Sequence, residues 1–239
     1  MNISFSGQVA LVAGGTGGLG RAVSLAFLRE GAKVIVTYRK ESEFTELRSA
    51  AADKAPALEG HSVDITDQDA VAELVSGAVL HHGALDAVVN TIGGYAGGIK
   101  LWDLEPKLLD TMMSLNLRSG FTLARAVLPV MLKQKRGSIV NVAAKAAVDH
   151  GAGAAAYAAS KAAAVALMDS LAADAKGTGV RVNSILPSII DTMPNRKAMP
   201  NADFATWPKP EEIAEVILFL SSDAAKTIHG AAIPVYGNS

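Results

Sequence analysis

The chain has 239 residues, half of them apolar and 19% charged, which suits one large α/β domain and excludes disorder. Its 22 basic and 23 acidic residues give a net charge of -1, so there is no basic excess to attract nucleic acid or an anionic membrane surface. Cysteine is absent, which removes disulfides, thiolate metal sites and cysteine nucleophiles, and matches a reducing cytoplasm.

The N-terminal stretch Met1–Gly15 has no basic start before its apolar run, so no signal peptide is expected. No apolar run approaches the roughly 18 residues that span a bilayer. The expectation is a cytoplasmic protein with a small-molecule substrate and no membrane or nucleic-acid partner. Short β-branched runs then alternate with helix-length segments. Strands are predicted at Gln8–Ala13, Lys33–Tyr38, His61–Val63, Ala87–Asn90, Ser138–Ala143, Arg181–Leu186 and Ala232–Val235. Helices are predicted at Gly18–Glu30, Asp67–His82 and Ala154–Lys176, with Gly31 and Gly83 as C-terminal stops. Such alternation specifies a parallel sheet covered on both faces, a doubly wound α/β fold. No linker, repeat or charge block divides it, so one domain is expected over 1–239.

The first strand runs directly into Gly14-Gly15-Thr16-Gly17-Gly18-Leu19-Gly20, which opens a helix. Glycines let a backbone turn tightly and approach a pyrophosphate, and the helix N-terminus offers free N–H groups and positive dipole. Between a strand and a helix, this pattern predicts a dinucleotide site. An acid at the end of the second strand would accept hydrogen bonds from ribose and repel a 2′-phosphate. Thr37-Tyr38-Arg39-Lys40 stands there instead. Arg39 can bind that phosphate, so NADP(H) is preferred over NAD(H), unless Arg39 and Lys40 are only solvated charges.

Tyr157 and Lys161 share a helix face at i and i+4. A nearby ammonium would favour the phenolate and lower the tyrosine pKa, making Tyr157 a proton donor or acceptor. The segment 187–210 carries five of the nine prolines and is expected to be a substrate lid. The five histidines show no metal-ligand spacing, so no metal site is expected. His81-His82 reads as a cationic helix end. Tyr95 and Trp102 either stack on a flat substrate or pack at the rim.

Taken together, the glycine turn, Asp64, Asn90-Thr91-Ile92-Gly93, Asn116, Tyr157 with Lys161, and Pro187 through Thr192 resemble the short-chain dehydrogenase/reductase family. The resemblance implies a Rossmann fold with a seven-stranded parallel sheet. It implies that Gly14, Thr16, Gly18, Leu19 and Gly20 hold the pyrophosphate, that Asp64 and Ile65 flank the adenine, and that Asn90, Gly93 and Pro187 line the cofactor. Thr192 would reach the nicotinamide carboxamide. Tyr157 would transfer a proton, Lys161 would bind ribose and lower the tyrosine pKa, and Asn116 would help to hold a relay water. The helix Ala154–Lys176 and the segment Leu104–Lys133 would form a homodimer or homotetramer interface.

One position departs from the family. A serine that bonds the substrate carbonyl usually lies thirteen residues before the tyrosine; here Ala144 follows Ala143. Loss of one such donor costs ~3 kcal/mol of transition-state stabilisation. Lys145 either substitutes for it or points to solvent. The substrate-side segments, Gly93–Gly98, Ala143–Ala147 and Asp191–Trp207, resemble dihydropteridine reductases, which lack the serine and reduce an electron-poor quinonoid ring. The expectation is therefore a quinonoid dihydropterin reductase. The alternatives are a carbonyl reductase, for example of 3-oxoacyl thioesters, and a protein that senses a dinucleotide without turnover.

Overall fold

The computed structural model describes residues 3–239. Seven parallel strands form one sheet: β1 Val9–Ala13, β2 Lys33–Tyr38, β3 Leu58–Ser62, β4 Ala87–Asn90, β5 Gly137–Val142, β6 Val180–Pro187 and β7 Ala232–Val235. Their spatial order is β3-β2-β1-β4-β5-β6-β7, so the winding reverses between β1 and β4. In open α/β sheets, the crevice for ligands lies outside the C-terminal strand ends at that reversal.

Alternation along each strand sends neighbouring residues to opposite faces. Ala10, Val12, Val34 and Val36 join one core with Phe27, Ile213 and Ile217. Leu11, Ile35, Val88 and Ile139 join the other with Leu74, Leu123, Met131 and Met168. Helices α1 (Gly18–Arg29) and α8 (Pro210–Ser221) cover the first face. Helices α3 (Gln68–His82), α5 (Ser119–Gln134) and α6 (Ala155–Asp174) cover the second. Asp67 caps α3 through Asp69 and Ala70, and Gly83 ends it at φ 82°. Gly31 follows α1 at φ 87°.

The third strand lies at 58–62 rather than 61–63. It is an edge strand whose buried residue is Leu58, while Glu59, Gly60 and His61 are half-buried, so β-branched residues do not mark it. Its Glu59 carboxylate bridges His61 Nε2 at 2.6 Å and His82 Nε2 at 2.9 Å, which ties the strand to the end of α3. The segment 187–210 is more regular than its prolines suggest. It contains the short helix α7 (Met193–Ala198), and Arg196 forms a bidentate pair with Asp191 and lies over Phe204. Two further helices are α2 (Glu41–Ala50) and α4 (Pro106–Met113). A π turn, Ser114–Arg118, joins α4 to α5 without a break.

Arg181 closes the open end of α8. Its guanidinium donates to the carbonyls of Leu220 at 2.6 Å, Ser222 at 3.0 Å and Ala225 at 3.3 Å. Last-turn carbonyls of a helix have no partner of their own. Arg181→Ala is therefore expected to lower unfolding free energy by about 2–3 kcal/mol, read as a lower urea midpoint at unchanged slope.

Candidate active site

The glycine turn fits a pyrophosphate on three counts. Gly14 sits at φ +75°, and its N–H donates to Thr37 Oγ1 at 2.9 Å. A Cβ on Gly20 would collide with the Gly14 carbonyl, so α1 reaches the turn only with glycine there. Gly17 begins α1 with no side-chain cap, which leaves the first-turn N–H groups free for an anion. Thr16 Oγ1 donates to Glu43 Oε2 at 3.2 Å at the rim. Leu19 is buried, so only its main chain faces the turn.

Arg39 is exposed at the end of β2. Asp64 accepts from the N–H and hydroxyl of Thr66, which hold its carboxyl below the usual range, and nearby Arg39 adds to this. Ile65 packs its side chain into the core. An acid missed in the sequence stands here too: Glu43, on α2, pairs with Lys40 at 3.2 Å as well as with Thr16. No strand-end position signals it; only the packing of α2 brings it to the turn.

Asn90 and Pro187 stand where the strands β4 and β6 end, and Thr192 lies just beyond β6. Asn90 is buried, and its amide is committed to Asn141 Oδ1 at 2.9 Å and to the Ile92 N–H at 3.2 Å. It shapes the end of β4 and does not face outward. Pro187 is buried at the end of β6. Thr192 caps α7, with its methyl 3.0 Å from where a Gly18 Cβ would lie, so the segment 187–210 and the glycine turn meet.

Asn116 lies in the π turn and clamps Gly94 from both sides. Its Oδ1 accepts from the Gly94 N–H at 2.9 Å, and its Nδ2 donates to the Gly94 carbonyl at 3.0 Å and to Ser160 Oγ at 2.9 Å. These bonds occupy the amide, so any water it helps to hold is not held by a spare side-chain atom. Ser160, between Tyr157 and Lys161, donates its own hydroxyl to the Tyr157 carbonyl at 2.8 Å. Lys161 is buried, donates to the Val142 carbonyl at 3.0 Å, and faces Gly93, where a Cβ would lie 2.9 Å from its nitrogen and 2.8 Å from Asn116 Oδ1. Asn116, Gly93 and Lys161 thus converge.

Tyr157 corrects the sequence expectation in sign. Its phenol is pushed up to about 12, first by burial and then by the charge of Tyr95, rather than lowered by Lys161. Burial pulls the Lys161 ammonium down to about 8. Each group sits in a poorly hydrated place, and desolvation disfavours the charged form of both. Tyr95 packs edge-on against Tyr157, with ring centroids 5.0 Å apart at 77°. Trp102 is exposed at the rim. Lys145 does not stand free. Its ammonium lies 5.1 Å above the Tyr236 ring and 3.9 Å from Asp149. Among the described residues no cluster suited to a metal ion occurs, and no helix is long and apolar enough to cross a membrane.

A tyrosine–lysine pair at the C-terminal strand ends, beside an uncapped glycine turn, defines a class of dinucleotide-linked oxidoreductase. A family model described as short chain dehydrogenase matches residues 8–203, and the chain belongs to that family. Among relatives, 3-oxoacyl-acyl-carrier-protein reductase FabG of Thermotoga maritima is 31% identical over 239 residues, covering 97% of each chain. The 2-(S)-hydroxypropyl-CoM dehydrogenase 3 of Xanthobacter autotrophicus is 31% identical over 251 residues, covering 99% of this chain and 98% of that one. The crystal structure of gox2181 superposes with a TM-score of 0.92 at 28% identity, covering 99% of this chain and 96% of that one. These findings support the family and lend nothing to the narrower pterin-reductase likeness.

Proposed function

We propose that the chain is an NAD(P)H-dependent carbonyl reductase acting on a ketone such as a 3-oxoacyl thioester. The observation that carries this reading is the pair Tyr157 and Lys161 on one face of α6, with Lys161 against Gly93. The named activity of the Thermotoga maritima relative supports the thioester. A bound reduced nicotinamide would supply hydride to the carbonyl carbon. Gly14, Thr16, Gly18, Leu19 and Gly20 would hold its pyrophosphate, Asp64 and the Ile65 main chain its adenine side, Gly93, Pro187 and Thr192 its nicotinamide side. Asn90 would act through the shape of the loop.

Tyr157 would give its phenolic proton to the carbonyl oxygen as charge gathers there, which its protonated state at neutral pH favours. The Lys161 ammonium would stabilise the phenolate left behind. Asn116 would keep Gly94 in place. The segment 187–210 would act as the lid over the substrate. Copies of the chain would associate through the groove of about 890 Å³ at α4, α5 and α6, where Phe121 is exposed and Asp110 and Arg118 offer opposite charges that a two-fold axis can pair. A reading as quinonoid dihydropterin reductase is favoured by Ala144 alone.

Steady-state oxidation of NADPH and NADH with acetoacetyl-CoA and, separately, quinonoid dihydropterin tests these readings. Turnover of the thioester is expected. Turnover of the pterin alone would restore the narrower reading, and cofactor binding without turnover of either would leave a sensor. NADPH is the expected partner because of Arg39, and Arg39→Ala should raise the NADPH KM at least about tenfold with little change for NADH. Glu43 opposes this preference, and an unchanged ratio in that variant would overturn it.

A further inference from the structure

The family position for the carbonyl-binding serine is Ala144, buried beside Ala143, so neither side chain can donate to a substrate oxygen. Several other donors at this end of the sheet are engaged. Lys145 is held over Tyr236 and near Asp149. His150 has its ring nitrogen on the Ala147 carbonyl at 3.2 Å, and Ser188 Oγ donates to the Tyr236 carbonyl at 2.7 Å. The Asn116 amide is spent on Gly94 and Ser160.

Tyr95 differs from all of these. It is 72% exposed, yet its ring packs edge-on against Tyr157. Its phenol oxygen lies against Gly97, where any Cβ would run into it. Its main chain follows Gly94, whose N–H and carbonyl are both gripped by Asn116. The ring thus has a glycine on one side, Tyr157 on the other and a clamped residue before it in the chain. Preorganised donors aimed at developing charge are worth most in catalysis, because nothing need reorient as the charge forms.

We propose that Tyr95 donates, through its hydroxyl, the hydrogen bond to the substrate oxygen that Ala144 cannot make. This rests on the carbonyl-reductase reading. In the step, hydride forms the new C–H bond, the C=O π pair moves to oxygen, and Tyr157 supplies the proton. Tyr95 keeps its own proton throughout and stabilises the oxygen by a hydrogen bond alone.

The test compares wild type, Tyr95→Phe, Tyr95→Ala and Tyr95→Phe/Ala144→Ser in reduction of acetoacetyl-CoA. Phenylalanine keeps the ring packing and removes only the hydroxyl. Its kcat should fall about a hundredfold. The added serine should recover at least about tenfold of that loss, since it restores a donor. Calorimetric binding of 3-hydroxybutyryl-CoA to the protein with reduced cofactor gives a readout free of turnover, and Tyr95→Phe should weaken it at least about fivefold. Activity and binding within twofold of wild type in Tyr95→Phe, with a loss only in Tyr95→Ala, would make Tyr95 a packing residue and overturn the proposal while the reductase reading stands. A wild-type protein that reduces no carbonyl would overturn both.

Discussion

Tyr157→Phe is expected to abolish reduction almost completely, lowering kcat by about 10³-fold, the range a positioned general acid supplies. The phenol is protonated at neutral pH because burial raises it to about 12, so in the resting protein it is a loaded donor. Phenylalanine keeps the edge contact with Tyr95 and takes away only the hydroxyl that carries the proton. Binding of reduced cofactor, followed by nicotinamide fluorescence, should be unchanged, and so should the thermal midpoint. Activity within tenfold of wild type would mean that the proton comes from another group. A sensor would keep its response to cofactor in this variant, whereas a reductase loses its chemistry.

Lys161→Met is expected to abolish reductase activity and to make the cofactor-free protein more stable. Burial alone brings the amine from an ordinary 10.5 to about 8. Above pH 10.5 the group is neutral in both the folded and unfolded chain, and nothing is lost. Between 10.5 and 8 the unfolded chain binds a proton that the folded one does not, so stability declines as pH falls. Below 8 the penalty stays constant at about 3 kcal/mol. Methionine has nearly the same length and no charge, and removing it also forfeits the bond to the Val142 carbonyl. The net gain at pH 7 should be about 2 kcal/mol, in line with apolar replacements of other buried ions. It should fade towards pH 10. Urea unfolding at pH 7 and pH 10 checks both points, and a variant less stable than wild type at pH 7 would show that the fold pays no such penalty. Stability held back at a working residue is a common trade in enzymes.

The parallel sheet was legible because Val9–Ala13, Lys33–Tyr38 and Ala87–Asn90 carry β-branched or small apolar runs between turn residues. β3 was displaced because an edge strand with one wet face needs few such residues. The segment 187–210 hides α7 because Pro194 sits in its first turn, where proline is welcome, and reads in sequence as a breaker. Within the site, the placing of Tyr157 and Lys161 on one face of α6 follows from a four-residue spacing. The clamp from Asn116 to Gly94 does not, since one partner is main chain and carries no side-chain signal. Glu43 is invisible for a similar reason: its reach to Thr16 depends on how α2 packs. The sign of the Tyr157 shift was missed because spacing reveals a neighbouring ammonium but not how dry the place is.

The π turn Ser114–Arg118 looks two ways at once. Ser114, Leu117 and Arg118 line the outer groove, while Asn116, from the same turn, grips Gly94 inside. A single turn cannot rotate on one side and stay still on the other. Any rotation of the turn that shifted Leu117 and Arg118 in the groove would carry Asn116 with it, and so the position of Gly94 and the start of the loop beyond it. Were the turn to move as one piece, a ligand in the groove and one held by that loop would each change the other's affinity by the same factor.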